Sequence, residues 1–171
     1  KNNYGLGIAL SGGGAKGFAH LGILEALNEN GIYPEIISGT SAGAFAGVLY
    51  ADGYTPKEII SFFQKKVFRE FAEFAIPHGG FFKNEGFRSF LKKHLRAKHF
   101  EDLKIPLRVV TTDIEYGETY VFSSGPLIPS VIASCSVPII FRPVEIDGHY
   151  YVDGGLFKNF PVSTIRKECK K

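Results

Sequence analysis

Ile36-Ile37-Ser38-Gly39-Thr40-Ser41-Ala42-Gly43 is the stretch on which the reading of this chain turns. Ile36-Ile37 starts a short apolar strand that ends at Gly39, and Ser41 to Tyr50 reads as a helix rich in Ala and Gly. Gly39-Thr40-Ser41-Ala42-Gly43 is therefore a G-x-S-x-G pentapeptide at a strand-to-helix turn. Glycines two before and two after the serine remove the Cβ atoms that would clash, so the turn lifts Ser41 clear of the backbone. The helix that begins there aims free N–H groups and the positive end of its dipole at whatever the serine attacks. This is the local requirement of serine acyl transfer. By itself the pentapeptide is weak, because the same residues make ordinary turns and Ser41 could be a plain N-cap.

Upstream, Leu6 to Leu10 reads as a buried strand and Ser11 to Gly14 as a glycine turn. From Ala15 to Asn30, Phe18, Leu21, Leu24 and Leu27 recur every three residues, as on one helix face, and Asn30-Gly31 stops it. The order strand, helix, strand, helix points to parallel pairing in a covered sheet. Downstream, Thr55-Pro56 starts a helix carrying Ile59, Ile60, Phe62, Phe63 and Val67. A loop over 76–84 follows, with Pro77, His78, Gly79 and Gly80, and then an amphipathic basic helix from Phe87 to Leu95. Leu107 to Thr112 and Thr119 to Phe122 pair across Tyr116-Gly117. Leu127 to Cys135 forms a helix stopped by Pro138. Val144 to Ile146 and Tyr150 to Val152 form a hairpin over Asp147-Gly148.

The chain has 171 residues, 44% of them apolar, with 16 Phe, enough for one domain with a sizeable core. Net charge is +3, which gives no nucleic-acid footprint and is compatible with an anionic membrane surface. No run approaches ~18 uninterrupted apolar residues, so no transmembrane helix is expected. Cys135 and Cys169 show neither a disulfide framework nor metal spacing. They read as reduced thiols, Cys135 in the core, in a cytoplasmic protein, and the charge leaves peripheral membrane contact open without arguing for it.

Two further segments carry chemistry. Gly12-Gly13-Gly14-Ala15-Lys16-Gly17 lets bare N–H groups converge on one point, which suits an oxyanion or a phosphate. It also fits the dinucleotide pattern G-x-G-x-x-G, but that site needs an acid ending the second strand, about 20 residues on, where this chain has Gly39-Thr40-Ser41. Asp153-Gly154-Gly155 follows the apolar strand ending in Val152, and Asp153 could equally be a turn aspartate. No histidine follows Asp153, so the order Ser, acid, His of an ordinary triad is not met. His149 reads as an exposed strand residue and His20 as a satisfied core or interfacial one. Lys92, Lys93 and Arg96 read as a solvated face, and the Phe62-Phe63 and Phe81-Phe82 pairs as anchors or as an aromatic loop over an acyl site. An acid in a dry site can take the serine proton directly, which makes Ser41 and Asp153 a candidate dyad.

G-G-G-A-K-G at 12–17, G-T-S-A-G at 39–43 and D-G-G at 153–155, in this order, resemble the patatin-like phospholipases. The run Ala133 to Pro138 before Phe141-Arg142-Pro143-Val144 is similar to that family too. The resemblance implies one catalytic domain over 1–171, a three-layer α/β/α sandwich around a mixed, mainly parallel sheet. It implies hydrolysis of lipid acyl esters without metal or cofactor. Ser41 would be the nucleophile, Asp153 its base, and the N–H groups of Gly13, Gly14 and Ala42 the oxyanion hole. Gly12, Gly17, Gly39, Gly43, Gly154 and Gly155 complete the motifs. Family members commonly continue with another strand and helices, so the stop at Lys171 implies a truncated or disordered C-terminal part. Two other functions remain open: a non-lipid esterase or thioesterase with the same dyad, and a silent phosphate- or membrane-binding module.

Overall fold

The computed structural model describes residues 3–64 and 85–171. Val67, the loop expected over 76–84 and the Phe81-Phe82 pair lie outside the described residues. The chain runs β1 (Gly7–Leu10), α1 (Phe18–Glu29), β2 (Ile36–Thr40), α2 (Ala42–Ala51), α3 (Pro56–Gln64) and α4 (Glu85–His94). It continues β3 (Leu107–Asp113), β4 (Glu118–Phe122), α5 (Leu127–Ser134), β5 (Val144–Ile146) and β6 (His149–Asp153).

Local chemistry explains the element ends. A 3-10 turn over Gly14–Gly17 precedes α1, so the α-helix starts three residues later than the apolar spacing suggests. Leu21 and Leu24 are buried as expected, but Phe18 is 37% exposed because it faces a cavity rather than the core. Thr55 and Glu58 form a reciprocal cap before α3: each side chain accepts the other's backbone N–H, at 3.2 and 2.7 Å. Asp147 and Gly148 both have positive φ, the geometry that a two-residue hairpin turn matched to the strand twist requires.

One mixed sheet of six strands, flanked by helices, organises the molecule. β1, β2 and β3 pair in parallel, as the strand–helix alternation requires. The remaining pairings, β3 with β4, β3 with β6 and β5 with β6, are antiparallel. Parallel pairings are thus two of the five described rather than the majority. The hairpin turns at 114–117 and 147–148 are too short for the crossover that a parallel neighbour needs.

β3 has three partners and only two edges. β4 lies along Val109–Asp113 on one edge. The other edge is shared: β2 ends opposite Val110, and β6 occupies Thr111 to Asp113. The C-terminal ends of β2 and β6 therefore point at one another.

Side chains alternate across the sheet. Ile37, Leu107 and Val109 face a core shared with Leu24, Leu49, Ile59, Leu91 and Ile132 of helices α1 to α5, all fully buried or nearly so. Each such aliphatic side chain contributes roughly 1.5–3 kcal/mol. Gly43 lets α2 cross β1 closely: a Cβ there would sit 2.1 Å from the Leu10 carbonyl oxygen. On the opposite face, Ile36 packs on Ile165 and Cys169, Ser38 bonds the Thr164 hydroxyl at 2.6 Å, and the Thr40 hydroxyl donates to the Lys158 carbonyl at 2.9 Å. Among the described residues this outer layer is made by 158–169. Residues 168–171 then run alongside residues 4–7, which lead into β1, with the Tyr4 N–H donating to the Glu168 carbonyl and the Gly7 N–H to that of Lys171, both at 3.0 Å. Among the described residues no helix is long and apolar enough to cross a membrane.

Candidate active site

Ser41 joins β2 to α2 with φ 52° and ψ −121°, a conformation that L-residues rarely adopt and that costs on the order of 1–3 kcal/mol. Hydrogen bonds on both sides of the residue hold it there. The Ser41 N–H donates to Ser134 Oγ at 2.9 Å, and the Ser134 hydroxyl in turn donates to the Val110 carbonyl at 2.6 Å. The Ser41 carbonyl accepts the Phe45 N–H at 3.0 Å and the Cys135 thiol at 3.4 Å. Ser41 occupies the N-cap position of α2, yet its hydroxyl caps no helix N–H. The side chain therefore makes no capping bond, and it lines the cleft that Asp153 of β6 also lines.

Asp153, the last residue of β6, is buried. Its N–H donates to Ser136 at 2.9 Å, and its carbonyl accepts the Thr112 hydroxyl at 3.1 Å. Carboxylate Oδ1 accepts the Gly155 N–H at 2.7 Å, and the carboxylate lines the same cleft as Ser41. Burial pushes the carboxyl above its ordinary range, while Ser41 and Gly155 pull it part of the way back. The group combines a turn role, through Gly155, with a place in the cleft that holds the serine.

The glycine turn arrives from the end of β1. The Gly12 N–H donates to the Asn159 carbonyl at 3.1 Å, and His20 Nε2 donates to the Ser11 carbonyl at 2.8 Å. His20 is thus the satisfied histidine expected, and it fixes the turn from within α1. Among the described residues, nothing accepts the N–H of Gly13 or of Gly14.

Two cavities meet at Ser41. A polar cleft of ≈ 340 Å³ is lined by Gly12, Gly13, Gly14, Asp153, Gly155 and Asn159 together with Ser41, Val137, Pro138 and Leu156. An apolar cavity of ≈ 280 Å³ is lined by Phe18, Leu21, Phe45, Phe63, Phe87 and Phe141, and reaches Ser41, Ala42, Gly17 and Cys135. Phe62 and Phe63 are partly buried against the main core, and Phe63 also faces the cavity.

Of the residues singled out in the sequence, Ser41, Asp153, Gly12, Gly13, Gly14 and Gly155 share the cleft, and Ala42 borders the adjoining cavity. The other motif glycines serve close packing: Gly17 on Ala42, Gly39 on Gly43 and Ala44, and Gly154 on the Val110 carbonyl. Sequence reasoning missed Ser134 and Asn159. The signal for Ser134 was its place in the run 133–138, whereas that for Asn159, four residues past Gly155, was no more than proximity. His149 is corrected. It is half-buried rather than exposed, with Nδ1 3.1 Å from Glu115 and 3.6 Å from Asp113, in a group that does not line the cleft. Cys135 and Cys169 are both free and both buried.

A family model described as patatin-like phospholipase matches residues 8–165. A patatin-like phospholipase domain-containing protein of Caenorhabditis elegans is 35% identical over 171 residues, covering 94% of this chain and 12% of that protein. An uncharacterized NTE family protein of Mycobacterium tuberculosis is 32% identical, covering 92% of this chain and 44% of its own length. Lysophospholipase NTE1 of Candida glabrata is 33% identical, covering 94% and 10%. The chain thus spans less than half the length of these relatives. The crystal structure of VipD from Legionella pneumophila superposes with a TM-score of 0.72 at 18% identity, covering 99% of this chain and 49% of that one, a likeness of fold. The chain belongs to the patatin-like phospholipase family.

Proposed function

We propose that the chain is a serine lipid acyl hydrolase, with Ser41 as nucleophile and Asp153 as its base. The observation that carries this reading is the position of Ser41 at the junction of a polar cleft holding a raised-pKa carboxyl and an apolar cavity of acyl character. The acyl chain lies among Phe18, Phe45 and Phe141, and the carbonyl faces the glycine turn. Ser41 Oγ attacks the carbonyl carbon while its proton passes to Asp153. The N–H groups of Gly13 and Gly14, with Ala42 as a third donor, stabilise the oxyanion, each worth about 3 kcal/mol of barrier. The C–O bond to the alcohol breaks, and Asp153 returns the proton to the leaving oxygen. Water then attacks the acyl-enzyme, Asp153 takes its proton, and the fatty acid departs as Ser41 Oγ regains a hydrogen.

No histidine is needed in this scheme. Burial raises the basicity of the carboxylate, and its place in the same cleft as Ser41 lets it take the serine proton. The family and the names of the relatives support a lipid ester as substrate. The apolar cavity favours a long acyl chain over that of a short ester. The test is labelling with a long-chain alkyl fluorophosphonate followed by peptide mass spectrometry. The expected adduct is on Ser41; a folded sample that hydrolyses no acyl ester and takes no label overturns the proposal.

A further inference from the structure

The mouth of the polar cleft is bordered by two segments, 137–142 and 154–160, which present large apolar side chains to solvent. Ile139 is 89% exposed, Phe160 64%, and Leu156 and Phe157 57% each. Single exposed apolar residues are ordinary, but a cluster beside a cleft is not. Ile139 adds a second observation. Its φ is +72°, a strained conformation for a β-branched residue, and no packing offsets the strain because the side chain is almost wholly in solvent. The loop is bent so that an isoleucine stands outward.

Charge indicates what meets this rim. The rim segments 12–18, 137–142 and 154–160 carry Lys16, Arg142 and Lys158 and no carboxylate. Lys16 and Arg142 are exposed. Apolar tips among cations, without an acid, match the interface of an anionic bilayer, where side chains enter the acyl boundary and cations meet phosphates.

We infer that the rim formed by Ile139, Phe157 and Phe160, with Lys16 and Arg142 beside it, docks onto an anionic phospholipid surface and sets the Ser41 cleft against the lipid. The inference rests on the lipid hydrolase reading for its substrate, but not for its measurement. The opening then faces the bilayer, and a lipid moves from the membrane into the apolar cavity without crossing water.

The experiment is flotation of the protein with vesicles of phosphatidylcholine and phosphatidylglycerol in equal parts, and with phosphatidylcholine alone. Ser41→Ala is the form used, so that products do not alter the vesicles. Strong binding to the mixed vesicles and weaker binding to the neutral ones is expected. Ile139→Asn suits the positive φ and removes the apolar tip, and with Phe160→Ser it should lower partition by at least about tenfold. On the active background the same pair should leave hydrolysis of a water-soluble short ester unchanged and depress that of vesicle lipid. Undiminished vesicle binding by the pair overturns the inference, as does a dimer in sedimentation that the pair dissociates, since the rim would then meet a second copy. Rim-dependent binding with no hydrolysis by the Ser41 form would instead sink the hydrolase reading and leave the docking surface standing.

Discussion

Thr40 and Asp153 stand opposite consecutive residues of one strand: Thr40 faces Val110 and Asp153 faces Thr111 on the same edge of β3. A parallel strand and an antiparallel strand meet there head to head. The residue that follows Thr40 is Ser41, so the ladder itself delivers the hydroxyl to the carboxylate. A register shift of one residue in either strand would turn its side chain to the other face and separate the pair.

Asp153→Asn keeps the shape of the side chain and removes the base. Turnover should fall on the order of 10²–10⁴-fold, the range of general-base catalysis, with the fold intact. Steady-state rates beside a circular-dichroism melt check this, and activity within tenfold of the parent would show that another group takes the proton.

The pH profile follows from the raised Asp153 carboxyl. Only the ionised form accepts the serine proton, so activity should rise with pH along an acid limb lying above the ordinary aspartate range. Stability moves the other way. The folded state holds this proton more tightly than the unfolded chain, so stability is lost as pH rises from the unfolded value through the folded one. At neutral pH Asp153→Asn should therefore melt higher than the parent, and the difference should close in acid. Melts across pH settle it; a variant less stable at neutral pH would contradict the burial argument.

Ser134→Ala would leave the Ser41 N–H and the Val110 carbonyl without their shared partner. Each orphaned group costs about 1–3 kcal/mol. We expect a lower melting temperature and a fall in kcat with little change in KM, because the strained Ser41 peptide loses its clamp. Ser134→Thr, which keeps a hydroxyl, should recover part of kcat. Equal losses in the alanine and threonine variants would assign Ser134 to packing alone.

Gly43→Ala forces a methyl against the Leu10 carbonyl. The cost should be about 3 kcal/mol, which is roughly a 10 °C lower melting temperature for a domain of this size. A calorimetric scan within a few degrees of the parent would mean that α2 can move off β1 more easily than its buried face suggests.

Cys135 lies beside Ser41 without competing with it. Burial and the charge of Asp153 push its thiol well above the ordinary range, so the thiolate is not populated at neutral pH. Ellman's reagent should find neither Cys135 nor the buried Cys169 until denaturant is added; a fast-reacting thiol in the native protein would refute this.

The parts of the site set by local backbone chemistry were readable from the residues. Gly39 and Gly43 mark a close strand–helix turn, Gly12 to Gly14 mark convergent N–H groups, and Asp147-Gly148 marks a two-residue hairpin. What spacing alone left open was long-range. The sharing of one β3 edge by β2 and β6 is a property of pairing, and no residue in either strand advertises its neighbour. Ser134 was hidden for the same reason, since a helical serine more often bonds within its own helix than to a distant strand. His149 looked exposed because the β6 alternation was right, while the acids of the β3–β4 turn that meet it come from elsewhere in the chain.

The strip formed by residues 168–171 against Tyr4 and Gly7 has one more effect. An uncovered outer edge on β1 would offer a row of open amides and carbonyls to any extended peptide, the usual template for aggregation. Here the polypeptide occupies the start of that edge, up to Gly7, with its own backbone, and the lysines at 170 and 171 set positive charge where an intruding strand would have to dock.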